Sequence, residues 1–141
     1  MLLSSLLLVP FLGTLALLLW PGSPSPQRLR LISIAILTLQ LLLSLVALAG
    51  FDIHQSGMQL VELHSWLAGI GLDYSLGIDG LSLPLVLINA ALSLVAAVIT
   101  RDLDKRPRIY FAMLLLISGA VNGAFLAQNL LLFFLFYELE L

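Results

Sequence analysis

Long apolar stretches separated by short polar connections dominate the chain. Four of them are long enough to cross a bilayer, which takes about 20 residues of helix, and they lie near 2–20, 30–50, 80–100 and 108–126. A fifth stretch, 129–141, has only about two-thirds of that length. The pattern predicts an all-α polytopic membrane protein with four complete transmembrane helices and a truncated fifth. We expect residues 1–141 to form a single membrane domain at the front of a longer protein.

The composition agrees with this class. The chain is 61% hydrophobic and 10% charged, whereas a soluble domain carries about a quarter charged residues. It contains no cysteine, which excludes disulfides, thiolate metal sites and iron–sulfur ligation by these residues. Since there is also no glycine-rich nucleotide loop, we expect no cofactor in this chain. The lipid membrane is the predicted partner, and nucleic acid is not.

The basic residues predict an orientation. All of them fall in two connections, after the first and third apolar stretches: Arg28, Arg30, Arg101, Lys105, Arg106 and Arg108. Because cytoplasmic loops collect Lys and Arg, we place both connections on the cytoplasmic or stromal side. The N-terminus and the 51–78 connection then lie on the outer or lumenal face, which agrees with the acids Asp52, Glu62 and Asp73 in that connection.

The 51–78 connection has two candidate structures. Apolar residues recur at helical spacing through its middle, at Leu60, Leu63, Trp66, Leu67 and Ile70. This spacing favours a short helix lying on the membrane surface. A β-like hairpin through 70–78 is the alternative. His54 and His64 lack the spacing of metal ligands, so we interpret them as loop or interfacial residues.

Polar residues inside the apolar stretches predict contacts between helices. We expect Gln40, Asn89, Asn122 and Gln128 to make interhelical hydrogen bonds. A hydrated path past Asn122 is the alternative. Gly119 and Gly123 form a GxxxG pattern, which favours close approach of a neighbouring helix.

Two helix starts are also predicted from local chemistry. Asp79 follows Gly77-Ile78 and is suited to cap the third helix. Pro84 is tolerated in the first turn of that helix, and Pro107 marks the start of the fourth.

Two acids near the end of the chain, Glu138 and Glu140, are the main functional candidates. An acid at the bilayer centre costs roughly 2.5–3.5 kcal/mol and is usually functional. Counting from Gln128 at 1.5 Å per residue puts Glu138 roughly 15 Å deep, near mid-bilayer. Glu140 lies about 200° further around the helix, so the two acids cannot form a dyad. We predict that Glu138 is a proton relay and Glu140 an accessory, the alternative being structural carboxylates.

Two sequence blocks carry a resemblance to a known family. They are Leu76-Gly77-Ile78-Asp79-Gly80-Leu81-Ser82-Leu83 and the run from Asn129 to Leu141, Asn-Leu-Leu-Leu-Phe-Phe-Leu-Phe-Tyr-Glu-Leu-Glu-Leu. Both are similar to the antiporter-like subunits of respiratory complex I and its photosynthetic relatives, above all the M-type (NdhD-like) chain. The family commonly has Trp where this chain has Tyr137. The Glu-x-Glu ending resembles the photosynthetic branch.

The resemblance implies a larger subunit of about fourteen helices with an outer or lumenal N-terminus. It also implies that Glu138 pairs with a lysine on a later helix and that ion-pair switching there moves protons, coupled to quinone reduction elsewhere. NAD(P)H or ferredoxin, iron–sulfur clusters and quinone would belong to other subunits, which are the expected partners. A cyanobacterial or plastid thylakoid membrane is favoured, with a bacterial cytoplasmic membrane as the alternative. A multisubunit Na⁺/H⁺ antiporter and a structural scaffold remain competing functions.

Overall fold

The chain is mostly helical, as predicted. The computed structural model describes residues 1–101 and 105–141, and 68% of these residues are helical. The helices are α1 (Leu2–Leu19), α2 (Pro26–Ala49), α3 (Ser82–Ile99), α4 (Pro107–Leu126) and α5 (Leu130–Glu140). Within the described residues, α1 to α4 are long and apolar enough to cross a membrane. This confirms four complete spans followed by a shorter fifth helix.

Local chemistry explains where the helices begin. Helix α2 starts at Pro26 rather than at residue 30, because the Ser25 side chain accepts a hydrogen bond from the backbone N–H of Arg28 at 3.3 Å and proline suits the first helical position. The predicted cap at Asp79 is confirmed: its Oδ1 accepts from the N–H groups of Leu81 and Ser82 at 2.9 and 2.7 Å. Hydrogen bonds from the Ser82 backbone, chief among several, lower the pKa of Asp79 below its usual value.

Helix α4 packs against each of the other four helices. Its two glycines make this possible, as the GxxxG pattern predicts. A Cβ atom at Gly119 would stand 3.0 Å from the Pro10 ring of α1. A Cβ atom at Gly123 would overlap the Phe136 ring of α5. The small residues therefore set the spacing of α1, α4 and α5.

The connection between α2 and α3 is a β-hairpin, so the predicted interfacial helix through 60–70 is wrong. Strand β1 (Gln59–Leu67) pairs antiparallel with β2 (Leu72–Ile78), and the turn between them holds Gly71 at φ +69°. Strand pairing is favoured over the helix because β2 buries Leu76 and Ile78 against the helices while its backbone forms hydrogen bonds with β1. The alternative prediction of a β-hairpin is correct, but its predicted bounds of 70–78 are too short because β1 begins at Gln59.

The two ends of the helical bundle differ in charge. The hairpin lies at the end where α1 begins, and we name this the hairpin end. The opposite end, named the basic end, holds the arginines. There Arg30 donates from Nε to the Ala97 carbonyl at 3.3 Å, and Arg108 donates to the Gly22 carbonyl. Basic side chains thus close this end of the bundle by bonding the last carbonyls of neighbouring segments.

Candidate functional site

Glu138 and Glu140 lie in the last turns of α5, and both side chains are exposed. Asn129 starts this helix by accepting a hydrogen bond from the Leu131 N–H at 2.9 Å. The Asn129 side-chain amide also donates to the Gly71 carbonyl of the hairpin turn at 3.1 Å. The start of α5 is therefore tied to the hairpin, and this fixes the helix that carries both acids.

The packed side of α5 determines where the acids point. Leu132 and Phe136 are its buried residues, and the Phe136 ring lies against Gly123 and stacks on Phe11 with ring centroids 6.2 Å apart. Glu138 follows Phe136 by two residues, about 200° around the helix. It therefore faces away from the bundle. Glu140 follows Phe136 by four residues, about 40° around, and lies nearer the packed side.

The described residues supply neither acid with a partner. No hydrogen bond or ion pair joins Glu138 or Glu140 to any side chain in residues 1–101 and 105–141. The arginines that bond to the bundle are at the basic end, and the histidines belong to the hairpin end.

A cluster of neutral polar side chains lies between α2, α3 and α4. Gln40 and Ser118 exchange two hydrogen bonds, of 2.9 and 3.2 Å, and both residues are fully buried. Asn89 donates from Nδ2 to the Ser118 carbonyl at 3.0 Å and to Asn122 Oδ1 at 2.8 Å. These bonds confirm the predicted interhelical contacts of Gln40, Asn89 and Asn122. Gln128 is different, because its amide donates to the Gly77 carbonyl of the hairpin at 3.3 Å.

Glu62 is a site residue that the sequence analysis missed. Its buried carboxylate accepts from the N–H groups of Leu3 and Ser4 at 3.0 and 3.1 Å, from the Ser4 hydroxyl, and it pairs with the amino group of Met1. The Tyr74 hydroxyl bonds to Ser4 Oγ at 3.1 Å. The one available signal was that α1 starts without a capping side chain of its own.

The hairpin supplies that cap from a distance. The first N–H groups of any helix lack intrahelical partners, and the helix N-terminus favours negative charge. Burial alone would raise the pKa of Glu62, but the bonds from the amino terminus, Ser4 and Leu3 outweigh it and lower the pKa. Burial chiefly, with the nearby Glu62 charge, raises the pKa of Tyr74. Glu62 is therefore ionised and Tyr74 neutral at ordinary pH.

The hairpin, α1 and α5 also line an open apolar groove of about 450 Å³. Phe11, Trp66, Tyr74 and Phe136 are among its lining residues. Within the described residues, no three His, Cys, Asp or Glu side chains come together as a metal site. His64 instead stacks on Tyr74 with centroids 6.2 Å apart.

These features define a class: a polytopic helical membrane protein with a polar cluster between its helices and an exposed acid on the unpacked side of its fifth helix. No family model matches the chain. Curated relatives do match it, and they cover nearly all of its residues.

Three of these relatives are named as chain 4 of NAD(P)H-quinone oxidoreductase. "NAD(P)H-quinone oxidoreductase chain 4 1" from Synechococcus sp. (strain JA-3-3Ab) is 40% identical over 140 residues, which are 99% of this chain and 26% of the relative. The protein of the same name from Synechococcus sp. (strain JA-2-3B'a(2-13)) is 39% identical over 140 residues, with the same coverage. "NAD(P)H-quinone oxidoreductase chain 4" from Prochlorococcus marinus (strain NATL2A) is 35% identical over 133 residues, 94% of this chain and 25% of the relative.

The chain is homologous to the N-terminal portion of NAD(P)H-quinone oxidoreductase chain 4, and it spans about a quarter of the length of these relatives. The resemblance seen in the sequence is thereby confirmed.

Proposed function

We propose that the chain is the N-terminal part of a proton-translocating membrane subunit of a complex I-like, photosynthetic-type NAD(P)H-quinone oxidoreductase. The shared name of its relatives supports the oxidoreductase assignment. The translocation role is supported by the position of Glu138. This acid is exposed on the apolar helix α5, on the side that faces away from the rest of the bundle. Acids at membrane depth usually face a protein interior or a water path.

Glu138 acts in this proposal as a proton relay. In an apolar surrounding the neutral carboxyl is favoured, whereas a cation nearby favours the carboxylate. A later part of the subunit that brings a lysine to Glu138, or withdraws it, therefore changes its proton occupancy. That exchange needs no redox chemistry in this chain. It couples proton movement to quinone reduction through charge alone.

Glu140 has an accessory role in the proposal. Its position near the packed side of α5 separates it from Glu138 by about 200°. The two carboxylates therefore do not share one proton path. Replacing Glu140 should affect proton transfer less than replacing Glu138.

We also propose an orientation, a membrane and partner subunits for the chain. The N-terminus and the hairpin lie on the outer or lumenal face, since the hairpin end lacks the basic residues that cytoplasmic loops collect. Other membrane-arm subunits of a complex I-like assembly surround the chain in a thylakoid membrane, or alternatively a bacterial cytoplasmic membrane. NAD(P)H or ferredoxin, the iron–sulfur clusters and quinone bind elsewhere in the assembly.

Two other functions compete with this one. A subunit of a multisubunit Na⁺/H⁺ antiporter would use the same acid without a redox arm, but the names of the relatives favour the oxidoreductase. A structural scaffold would use both acids only as hydrogen-bonded contacts. The scaffold differs in a measurable way, because neutralising Glu138 would then leave pumping unchanged.

The test is the number of protons pumped per quinone reduced by the intact complex. Glu138→Gln should lower this ratio while assembly is kept and quinone reduction is normal or partly reduced. Glu140→Gln, on the other side of the same helix, is the matched control and should lower the ratio less. An unchanged ratio in Glu138→Gln would contradict the proposed role.

A further inference from the structure

The side chains of Asn89 and Asn122 meet between α3 and α4 and share only one hydrogen bond. Asn89 Nδ2 donates to Asn122 Oδ1 at 2.8 Å. Asn122 is fully buried, and its Nδ2 has no hydrogen-bond partner among the described residues. Asn89 is only half-buried, and its Oδ1 is not enclosed without a partner in the way that Asn122 Nδ2 is. The cluster therefore holds one buried donor without a partner, on a side chain already in contact with Asn89.

Neighbouring bonds fix the orientation of both amides. Asn89 donates to the Ser118 carbonyl as well as to Asn122. A carbonyl can only accept, so the nitrogen of Asn89 must point toward Ser118. If Asn122 were turned over, its own nitrogen would meet that nitrogen, donor against donor. The hydrogen bonds of Asn89 therefore determine which side-chain atom of Asn122 is the oxygen and which is the nitrogen, and they leave the N–H groups of Asn122 without a partner.

The rest of the cluster does not take up these N–H groups. Ser118 Oγ and the Gln40 amide already exchange two hydrogen bonds. The glycine side of α4 presents carbon atoms of Pro10, Phe11 and Phe136. Because Asn122 has no exposed surface, a side chain from another protein does not reach it. A small hydrogen-bond acceptor held between α3 and α4 would satisfy it.

We propose that the Asn89–Asn122 pair is a binding site for a single water molecule. The water accepts a hydrogen bond from Asn122 Nδ2 and donates one to Asn89 Oδ1. Buried waters typically bridge polar groups that otherwise lack partners. Asn89 is half-buried, so the water exchanges along its side of α3. This site is independent of Glu138 and of the proposed function.

The experiment is a cryo-electron microscopy map, at a resolution that shows ordered waters, of the complete protein in the assembly it is purified with. The wild type should show a density peak within hydrogen-bond distance of both Asn122 Nδ2 and Asn89 Oδ1. Asn122→Leu, which keeps the side-chain shape but removes the donor, should lose the peak. Ser44→Ala is the matched control, because Ser44 is equally buried and bonds only to its own helix at Leu41 O; it should keep the peak.

Three results would overturn the site. One is a well-resolved wild-type map without the peak. Another is a map in which Asn122 Nδ2 donates to a protein carbonyl. The third is a peak that stays in place in Asn122→Leu. If that variant does not assemble, the wild-type map decides alone.

Discussion

The carboxylate of Glu62 accepts hydrogen bonds from both the backbone N–H and the hydroxyl of Ser4, which lies 58 residues earlier. The hairpin thus caps α1, the helix against which α4 packs and whose Phe11 ring stacks on Phe136 of α5. The same hairpin bonds to the α4–α5 connection, where the Gln128 N–H donates to the Ser75 carbonyl at 2.9 Å. One small sheet therefore fixes the starts of both α1 and α5.

Removing the charge of this cap should destabilise the protein. We expect Glu62→Gln to cost about 1–2 kcal/mol, as loss of a helix cap does, because a neutral amide oxygen accepts more weakly than a carboxylate. Thermal unfolding of the detergent-solubilised protein measures this. Asp73→Asn is the control, because the Asp73 carboxylate of the same hairpin makes no hydrogen bond with the described residues; this variant should unfold near the wild-type temperature. Equal unfolding temperatures in all three proteins would contradict the capping role.

The same contact predicts a dependence of stability on pH. The folded-state pKa of Glu62 is lowered, so its contribution is fully present above the unfolded-state pKa of about 4.3 and is lost as the pH falls through the folded value. Unfolding temperature measured from neutral to acidic pH should fall more for the wild type than for Glu62→Gln. Parallel curves for the two proteins would show that Glu62 does not titrate in this way.

The contact between α4 and α5 should not tolerate a larger residue. We expect Gly123→Ala to destabilise by about 1–3 kcal/mol, the usual cost of overpacking, because the new methyl group meets the Phe136 ring. Gly69→Ala, where no atom lies within 4 Å of the added carbon, should be nearly neutral. Thermal unfolding of the two variants compares them directly, and equal effects would mean that α5 packs differently.

The orientation is open to a direct labelling test, since the chain has no native cysteine. Ser56→Cys, exposed before the hairpin, should react with a membrane-impermeant maleimide from the outer or lumenal side. Ser23→Cys, exposed between α1 and α2, should react from the opposite side. Labelling of both positions from one side, or of each from the reverse side, would refute the orientation.

Hydropathy predicted the four spans closely, because length and apolar content alone decide whether a helix can cross a bilayer. The hairpin was mispredicted because Leu60, Leu63 and Trp66 also fit helical spacing. What decides their structure is pairing with β2, which is anchored to α4 and α5 through the Leu76–Ala127 bridge. Local pattern carries no information about such distant contacts.

The candidate site shows the same difference between features that local sequence predicts and contacts between distant residues that it does not predict. The polar residues within the spans were identified from the sequence as interhelical contacts, since few other roles suit them in an apolar helix. Glu62 was recognised only as an acid of the connection, because its partners Leu3 and Ser4 are far away in the chain. The unmatched nitrogen of Asn122 depends on the orientation of two amides, which only the three-dimensional arrangement determines.

We propose that Glu138 changes its proton occupancy as the complex turns over. Infrared difference spectroscopy of the intact complex, comparing the resting state with the state during quinone reduction, measures carboxyl protonation directly. We predict a carboxyl band that changes on turnover in the wild type and in Glu140→Gln and is missing from Glu138→Gln. A turnover-dependent carboxyl band that persists unaltered in Glu138→Gln would contradict the account.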